Sequence, residues 1–270
     1  MALEYAHPPA DPQPKGWPLS SEERTYLNKP EHERRPGAAE NKFMPELWPS
    51  VPFAQHWGPE AYAKHHDRLV EMVRKNQGPC DVLLVGDSIT IQFERDNQGN
   101  ENWKKEFPEY KAINIGIGGD RTSSVLWRLD HGAVDGLEPR SIVLMIGNNN
   151  MFFAGETGTD AIAKGIKVCY ERLREQFPKV PIVLVKVLYC GTPDDPFYQN
   201  ITKTNAALDL LKLESLPLVK VIDFNAELIN ADGTIKSELF TSDKIHLNGQ
   251  GYALYAKHLR PVLKELLKQK

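Results

Sequence analysis

The sequence predicts an α/β domain built on a parallel sheet with helices on both faces. From Cys80 onward, short apolar runs alternate with amphipathic segments, and the runs are too continuous to leave one face in water. Each run also ends in glycines, asparagines or other small polar residues, which places polar groups together at one edge of the sheet. Right-handed crossovers between parallel strands then cover both faces with helices. A chain of 270 residues, 41% hydrophobic and 26% charged, is long enough for one large core.

Residues 1–58 hold half of the 20 prolines, among charged runs such as Glu31-His32-Glu33-Arg34-Arg35. They read as an extended arm. Trp17, Phe43, Leu47, Trp48, Phe53 and Trp57 are anchors expected to lay it on a body formed by residues 59–270. Pro59 suits the first position of a helix on which Tyr62, His66, Leu69 and Val73 recur until Gly78-Pro79 stops it. His65-His66-Asp67 raises a metal site, but adjacent histidines point to different sides of a helix and no third ligand is evident; a surface helix is the expected reading.

The first strand, Val82–Val85, runs into Gly86-Asp87-Ser88. Lys111–Gly116, Ser141–Ile146, Pro181–Leu188 and Leu218–Phe224 are the next four strands. The helices between them begin at Thr122, follow the face Ile162, Ile166, Cys169, Tyr170, Leu173 and Phe177, and span Asn200–Leu213. A final helix carries Tyr252, Tyr255, Leu259, Val262 and Leu266.

The net charge of −3 is scattered, with no basic stripe, so nucleic acid is excluded as an expected partner. No apolar run approaches the roughly 18 residues of a membrane span, and the first 30 residues lack an apolar leader. A soluble chain is expected, cytoplasmic or secreted after cleavage. Cys80, Cys169 and Cys190 form neither a metal quartet nor an even disulfide framework and read as free thiols, Cys169 in the core and Cys190 beside the strand-end site.

Four polar segments meet at the strand ends: Gly86-Asp87-Ser88, the glycine-rich run from Asn114 to Thr122, Gly147-Asn148-Asn149-Asn150, and Asp243-Lys244-Ile245-His246 before the last helix. Ester hydrolysis needs a nucleophile, a base, a group that orients the base and donors for an oxyanion. These segments supply all of them. Asp243 and His246, three residues apart on a loop, can fold back so that the carboxylate holds Nδ1–H and Nε2 faces Ser88. A nucleotide-binding reading of Gly116-Ile117-Gly118-Gly119-Asp120-Arg121 fails because the last glycine of the dinucleotide fingerprint is missing.

In this order, the four segments resemble the blocks of the SGNH, or GDSL-type, hydrolases. Gly116–Thr122 and Val125-Leu126-Trp127-Arg128-Leu129 further resemble the branch that holds platelet-activating factor acetylhydrolase catalytic subunits and carbohydrate or sialate O-acetylesterases. The resemblance implies a flavodoxin-like three-layer α/β/α sandwich with a five-stranded parallel sheet, without metal or organic cofactor. It implies Ser88 as nucleophile, His246 as base, Asp243 as its orienter, and an oxyanion hole from the Ser88 and Gly119 N–H groups with the Asn149 amide. Asn148 departs from the small or hydroxyl residue common there. Asp87, Trp127, Phe152, Phe153 and Tyr189 are candidate substrate contacts. The expected function is removal of short acyl groups, acetyl first, from a carbohydrate. A lipid esterase like platelet-activating factor acetylhydrolase or a lysophospholipase is the alternative, and a noncatalytic sugar-binding module a minor one. The related subunits dimerise, which makes a homodimer one candidate assembly.

Overall fold

The computed structural model describes residues 59–153 and 158–268. The expected proline-rich arm, residues 1–58, lies outside the described residues. Helix α1 (Pro59–Lys75) leads into β1 (Gly78–Gly86), followed by a single helical turn, α2 (Ser88–Ile91), and α3 (Asn100–Glu106). Then come β2 (Ala112–Asn114), α4 (Thr122–Asp130), β3 (Leu137–Met145), α5 (Thr159–Gln176), β4 (Ile182–Val185), α6 (Pro196–Leu210), β5 (Val219–Ile222), the turn α7 (Asn225–Leu228) and α8 (Gly249–Lys268).

All strand pairings are parallel and the strand order is β2-β1-β3-β4-β5. This is the flavodoxin-like order. The chain moves one way from β1 to β2 and the other way from β2 to β3, so right-handed crossovers place α3 and α8 on one face and α4, α5 and α6 on the other. The packing agrees: α4 lies against α5 and α5 against α6, while α8 lies against α3, β3 and β5. β1 and β3 are central, so Val82–Val85 and Ile142–Ile146 are buried on both sides; the continuous apolar runs follow from this. The edge strand β5 instead exposes Lys220, which pairs with Glu265 of α8.

Two elements differ from the sequence reading. β2 is only three residues long: the Ile115 and Ile117 amides still donate to the Leu84 and Gly86 carbonyls of β1, but the Gly116 amide turns to the Asn114 side chain. α6 begins at Pro196, four residues before the expected start: Asp195 caps it by accepting from the Phe197 amide, and Pro196 sits in the first turn, where a missing N–H costs nothing. On α1, His66 is buried with Tyr62, Leu69 and Val73, the face on which its spacing placed it. Its Nε2 pairs with the His131 carbonyl at 2.9 Å and its ring lies edge-on to Trp127. Among the described residues no three His, Cys, Asp or Glu side chains gather as a metal site, and no helix is long and apolar enough to cross a membrane.

Candidate active site

Between β1 and β3 the strand order reverses, and the C-terminal side of such a switch point is where open α/β sheets bind ligands. Ser88 stands there, half-buried, at the start of α2. Its turn is held from several sides. Asp87 caps it by accepting from the Ile89 amide (3.0 Å), Asn114 of β2 donates to the Thr90 carbonyl (2.8 Å), and Tyr252 of α8 donates to the Ile89 carbonyl (2.7 Å). A glycine is required just before it: a Cβ on Gly86 would lie 2.1 Å from the Met145 carbonyl oxygen of β3.

His246 reaches this serine from 158 residues away. Its Nε2 lies 2.9 Å from Ser88 Oγ and its Nδ1 2.6 Å from Asp243 Oδ2. The tight loop between them depends on Lys244, whose φ of 58° is left-handed. Asp243 Oδ1 accepts from the Thr241 hydroxyl (2.7 Å) and from the Ile245 and His246 amides (both 2.9 Å). Partial burial pushes the Asp243 carboxyl up, but the His246 ring and these donors outweigh it and hold it well below the ordinary carboxylate range. It is therefore an anion facing Nδ1, which fixes the Nδ1–H tautomer and leaves Nε2 to accept from Ser88.

The glycine run passes beside the serine. Asp120 N donates to the Ile117 carbonyl (3.2 Å), closing a turn whose third residue, Gly119, has a φ of 83°. The three asparagines have three separate tasks. Asn148 is buried and donates to the Leu188 carbonyl (2.9 Å), so its departure from the family pattern braces the segment after β4. Asn150, also buried, holds the Thr122 amide and hydroxyl at the start of α4. Asn149 alone is half-exposed; its Nδ2 donates to the Asp120 carbonyl (2.9 Å) and lies 3.5 Å from Asp87 Oδ2.

Several expected substrate contacts sit elsewhere. Asp87 is fully buried, and its carboxyl is pushed up to about 7 by burial, with the Ile89 amide opposing and the Asp120 charge adding. It caps and supports the site and has no surface for a ligand. Trp127 is core, stacked on His131 (4.3 Å between centroids) and edge-on to Tyr62, because α4 is covered by α1. Tyr189 is half-buried, stacked on Tyr198 with its hydroxyl at Thr202. Cys190 is fully buried, and burial pushes its thiol far up, so it does not line the site. Phe152 is 52% exposed, packs on Phe197 (4.6 Å) and does line a cleft of about 410 Å³ beside Asp243. Met151, Asp195, Lys244 and Ile245 share that lining. The side chain of Phe153 lies outside the described residues.

A buried cluster went unread in the sequence. Arg128 and Asp120 are both inaccessible and paired at 2.6 Å, and Tyr62 donates to the other Asp120 oxygen at 2.8 Å. Its signal was an arginine inside Val125–Leu129, a helical stretch with no solvent face.

The fold is a flavodoxin-like three-layer α/β/α sandwich with a serine, an imidazole and a carboxylate brought together at its switch point. The chain belongs to the GDSL-like Lipase/Acylhydrolase family, whose profile matches residues 84–254, and it is accordingly a carboxylic ester hydrolase. It is 32% identical over 213 residues, 78% of this chain and 87% of the relative, to platelet-activating factor acetylhydrolase IB subunit alpha2 of Rattus norvegicus. Its fold is similar to a GDSL-like lipase from Bacteroides thetaiotaomicron (TM-score 0.58, 20% identity, covering 79% of this chain and 99% of that one). It is also similar to an acetylxylan esterase from Geobacillus stearothermophilus (TM-score 0.51, 18% identity, covering 69% and 94%).

Proposed function

We propose that this chain removes short acyl groups, acetyl foremost, from an ester by an acyl-enzyme route through Ser88, His246 and Asp243. One observation carries the proposal: a single imidazole bridges a serine hydroxyl at 2.9 Å and an anionic carboxylate at 2.6 Å. Ser88 Oγ attacks the carbonyl carbon while its proton passes to His246 Nε2, and the carbonyl electron pair moves onto oxygen. The intermediate collapses, the bond to the alcohol oxygen breaks, and His246 returns the proton to that oxygen. Water repeats the sequence on the acyl-serine and releases the acid. Asp243 stays ionised and stabilises the imidazolium in both halves. The Ser88 and Gly119 amides and the Asn149 carboxamide receive the oxyanion, each well-placed donor contributing about 10²–10³-fold in rate.

For the alcohol half, the curated relatives support a phospholipid-like acetyl ester ahead of the sugar ester expected from the sequence, since their identity exceeds 30% over most of both chains. The likeness to the acetylxylan esterase is one of fold alone. The cleft beside Asp243 is lined by Met151, Phe152 and Phe197 and by Asp195 and Lys244, with Asp243 as the one proposed catalytic side chain on its wall, a mixture that suits a small ester with an apolar and a polar end.

Turnover of p-nitrophenyl acetate tests the assignment: Ser88→Ala and His246→Ala should each lower kcat by at least about 10³-fold with an unchanged far-UV spectrum. Wild-type turnover by either folded variant would sink it. Comparing an acetylated phospholipid analogue with acetylated xylo-oligosaccharides then separates the two alcohol classes.

A further inference from the structure

We infer that Arg128 is a positioning residue that holds the serine turn and the oxyanion loop in register, with Tyr62 steadying the same clamp from helix α1. The inference rests on the Ser88 reading above and assigns a role to a residue outside the four family segments.

Arg128 is fully buried on α4 and touches both halves of the site. Its Nε donates to Asp120 Oδ2 at 2.6 Å and its Nη2 to the Gly86 carbonyl at 3.0 Å. Gly86 is two residues before the nucleophile, and its carbonyl also accepts from the Ile117 amide (3.2 Å), so one oxygen joins the serine turn, the glycine loop and the guanidinium. Asp120 directly follows Gly119. Its carbonyl accepts from the Asn149 carboxamide at 2.9 Å, so fixing the Asp120 side chain also fixes the acceptor that aims Asn149. Tyr62 closes the far side by donating to Asp120 Oδ1.

Stability alone does not account for this arrangement. Desolvating two ions costs about as much as their attraction returns, and apolar residues of similar volume usually serve a core as well. Here Nη1 has no partner among the described residues, which lowers the return further. What the planar fork supplies is geometry: two donors at a fixed separation, reaching the two backbone segments whose spacing sets the distance from Ser88 Oγ to the oxyanion donors. A displacement of about 1 Å in such a spacing can cost on the order of 10²-fold in rate.

The test is a double-mutant cycle on p-nitrophenyl acetate hydrolysis, with Ser88→Ala alongside. Arg128→Lys keeps the charge but cannot span Asp120 and Gly86. It should lower kcat about 10- to 100-fold with KM within about twofold, and most of that loss should vanish in an Asn149→Ala background, because both changes spoil the same oxyanion contact. An undiminished loss in that background, or wild-type kcat for the folded variant, overturns the inference. If Arg128→Lys does not fold, the cycle is run with Tyr62→Phe, which removes one donor and little volume. A kcat loss of about three- to tenfold, absorbed by Asn149→Ala, is then expected, and wild-type kcat or full carry-over refutes the clamp. Ser88→Ala distinguishes the failures: retained turnover there overturns the nucleophile reading itself, whereas a dead Ser88→Ala with additive losses overturns only the role of Arg128.

Discussion

Asp87 shows how burial turns a motif residue from a substrate contact into a buried support. Its carboxyl is raised to about 7 against an ordinary value near 3.8, so the native state takes up protons more readily than the unfolded chain. Stability from this group is complete below about pH 4 and is lost as pH rises through 7; a rise of that size corresponds to about 4 kcal/mol. His66 acts in the opposite direction. Burial lowers it to about 4, with the His131 carbonyl contact opposing, so its contribution is complete above pH 6.5 and is lost as pH falls toward 4, about 3 kcal/mol in all. Asp87→Asn should therefore gain stability relative to wild type as pH rises from 4.5 to 7, while His66→Gln should lose relative stability over the lower part of that range. Urea unfolding midpoints at half-unit pH steps measure both slopes, and parallel curves for wild type and variant would show that neither group carries the linkage.

At the scale of elements, turns fix the site more than helices do. Gly119 has φ 83° in the Ile117–Asp120 turn, so Gly119→Ala should cost roughly 1–3 kcal/mol of stability. Under the proposed mechanism it should also lower kcat on p-nitrophenyl acetate by about 10²-fold, because relieving the strain moves the amide proposed to receive the oxyanion. Gly251, in the first turn of α8, tests close packing against Leu239 and Leu247, the latter next to His246. A Cβ there would lie 2.2 Å from the Leu239 carbonyl oxygen, which is backbone and cannot step aside. Gly251→Ala should destabilise by about 1–3 kcal/mol, as thermal melts would reveal, and a wild-type melting temperature would mean that the loop yields without cost. Element positions were legible where hydrophobic period and length agreed, as in β1, β3 and α5. The start of α6 was missed because the cap signal Asp195-Pro196 lies outside the apolar period.

Across the whole molecule, α1 is part of the body although it precedes the matched family segment, which begins at residue 84. Tyr62, Leu69 and Val73 are buried, and Tyr62 and His66 cover Trp127 on α4. A chain starting at Gln77 would expose that face and leave Asp120 with one donor fewer. It should melt at least about 5 °C lower than the full chain, or fail to accumulate as folded protein; an unchanged melting temperature would show that α1 is dispensable.

The sequence by itself determined the fold class and the four segments of the candidate site, because continuous apolar runs force a two-sided burial and strand-end polar groups must then converge at one edge. Ser88, Asp243 and His246 were read from these segments themselves, whereas the choice of Gly119 and Asn149 within theirs came from the family resemblance. Tertiary structure decided which neighbours serve substrate and which serve the scaffold. Trp127 and Asp87 face inward because α1 and α8 cover the faces on which they lie, and no local pattern encodes that cover. For the Arg128–Asp120–Tyr62 cluster the sequence offered only the arginine in an apolar stretch and not its partners, which are 8 and 58 residues apart in the chain and meet only once α1, α4 and the glycine loop have packed together.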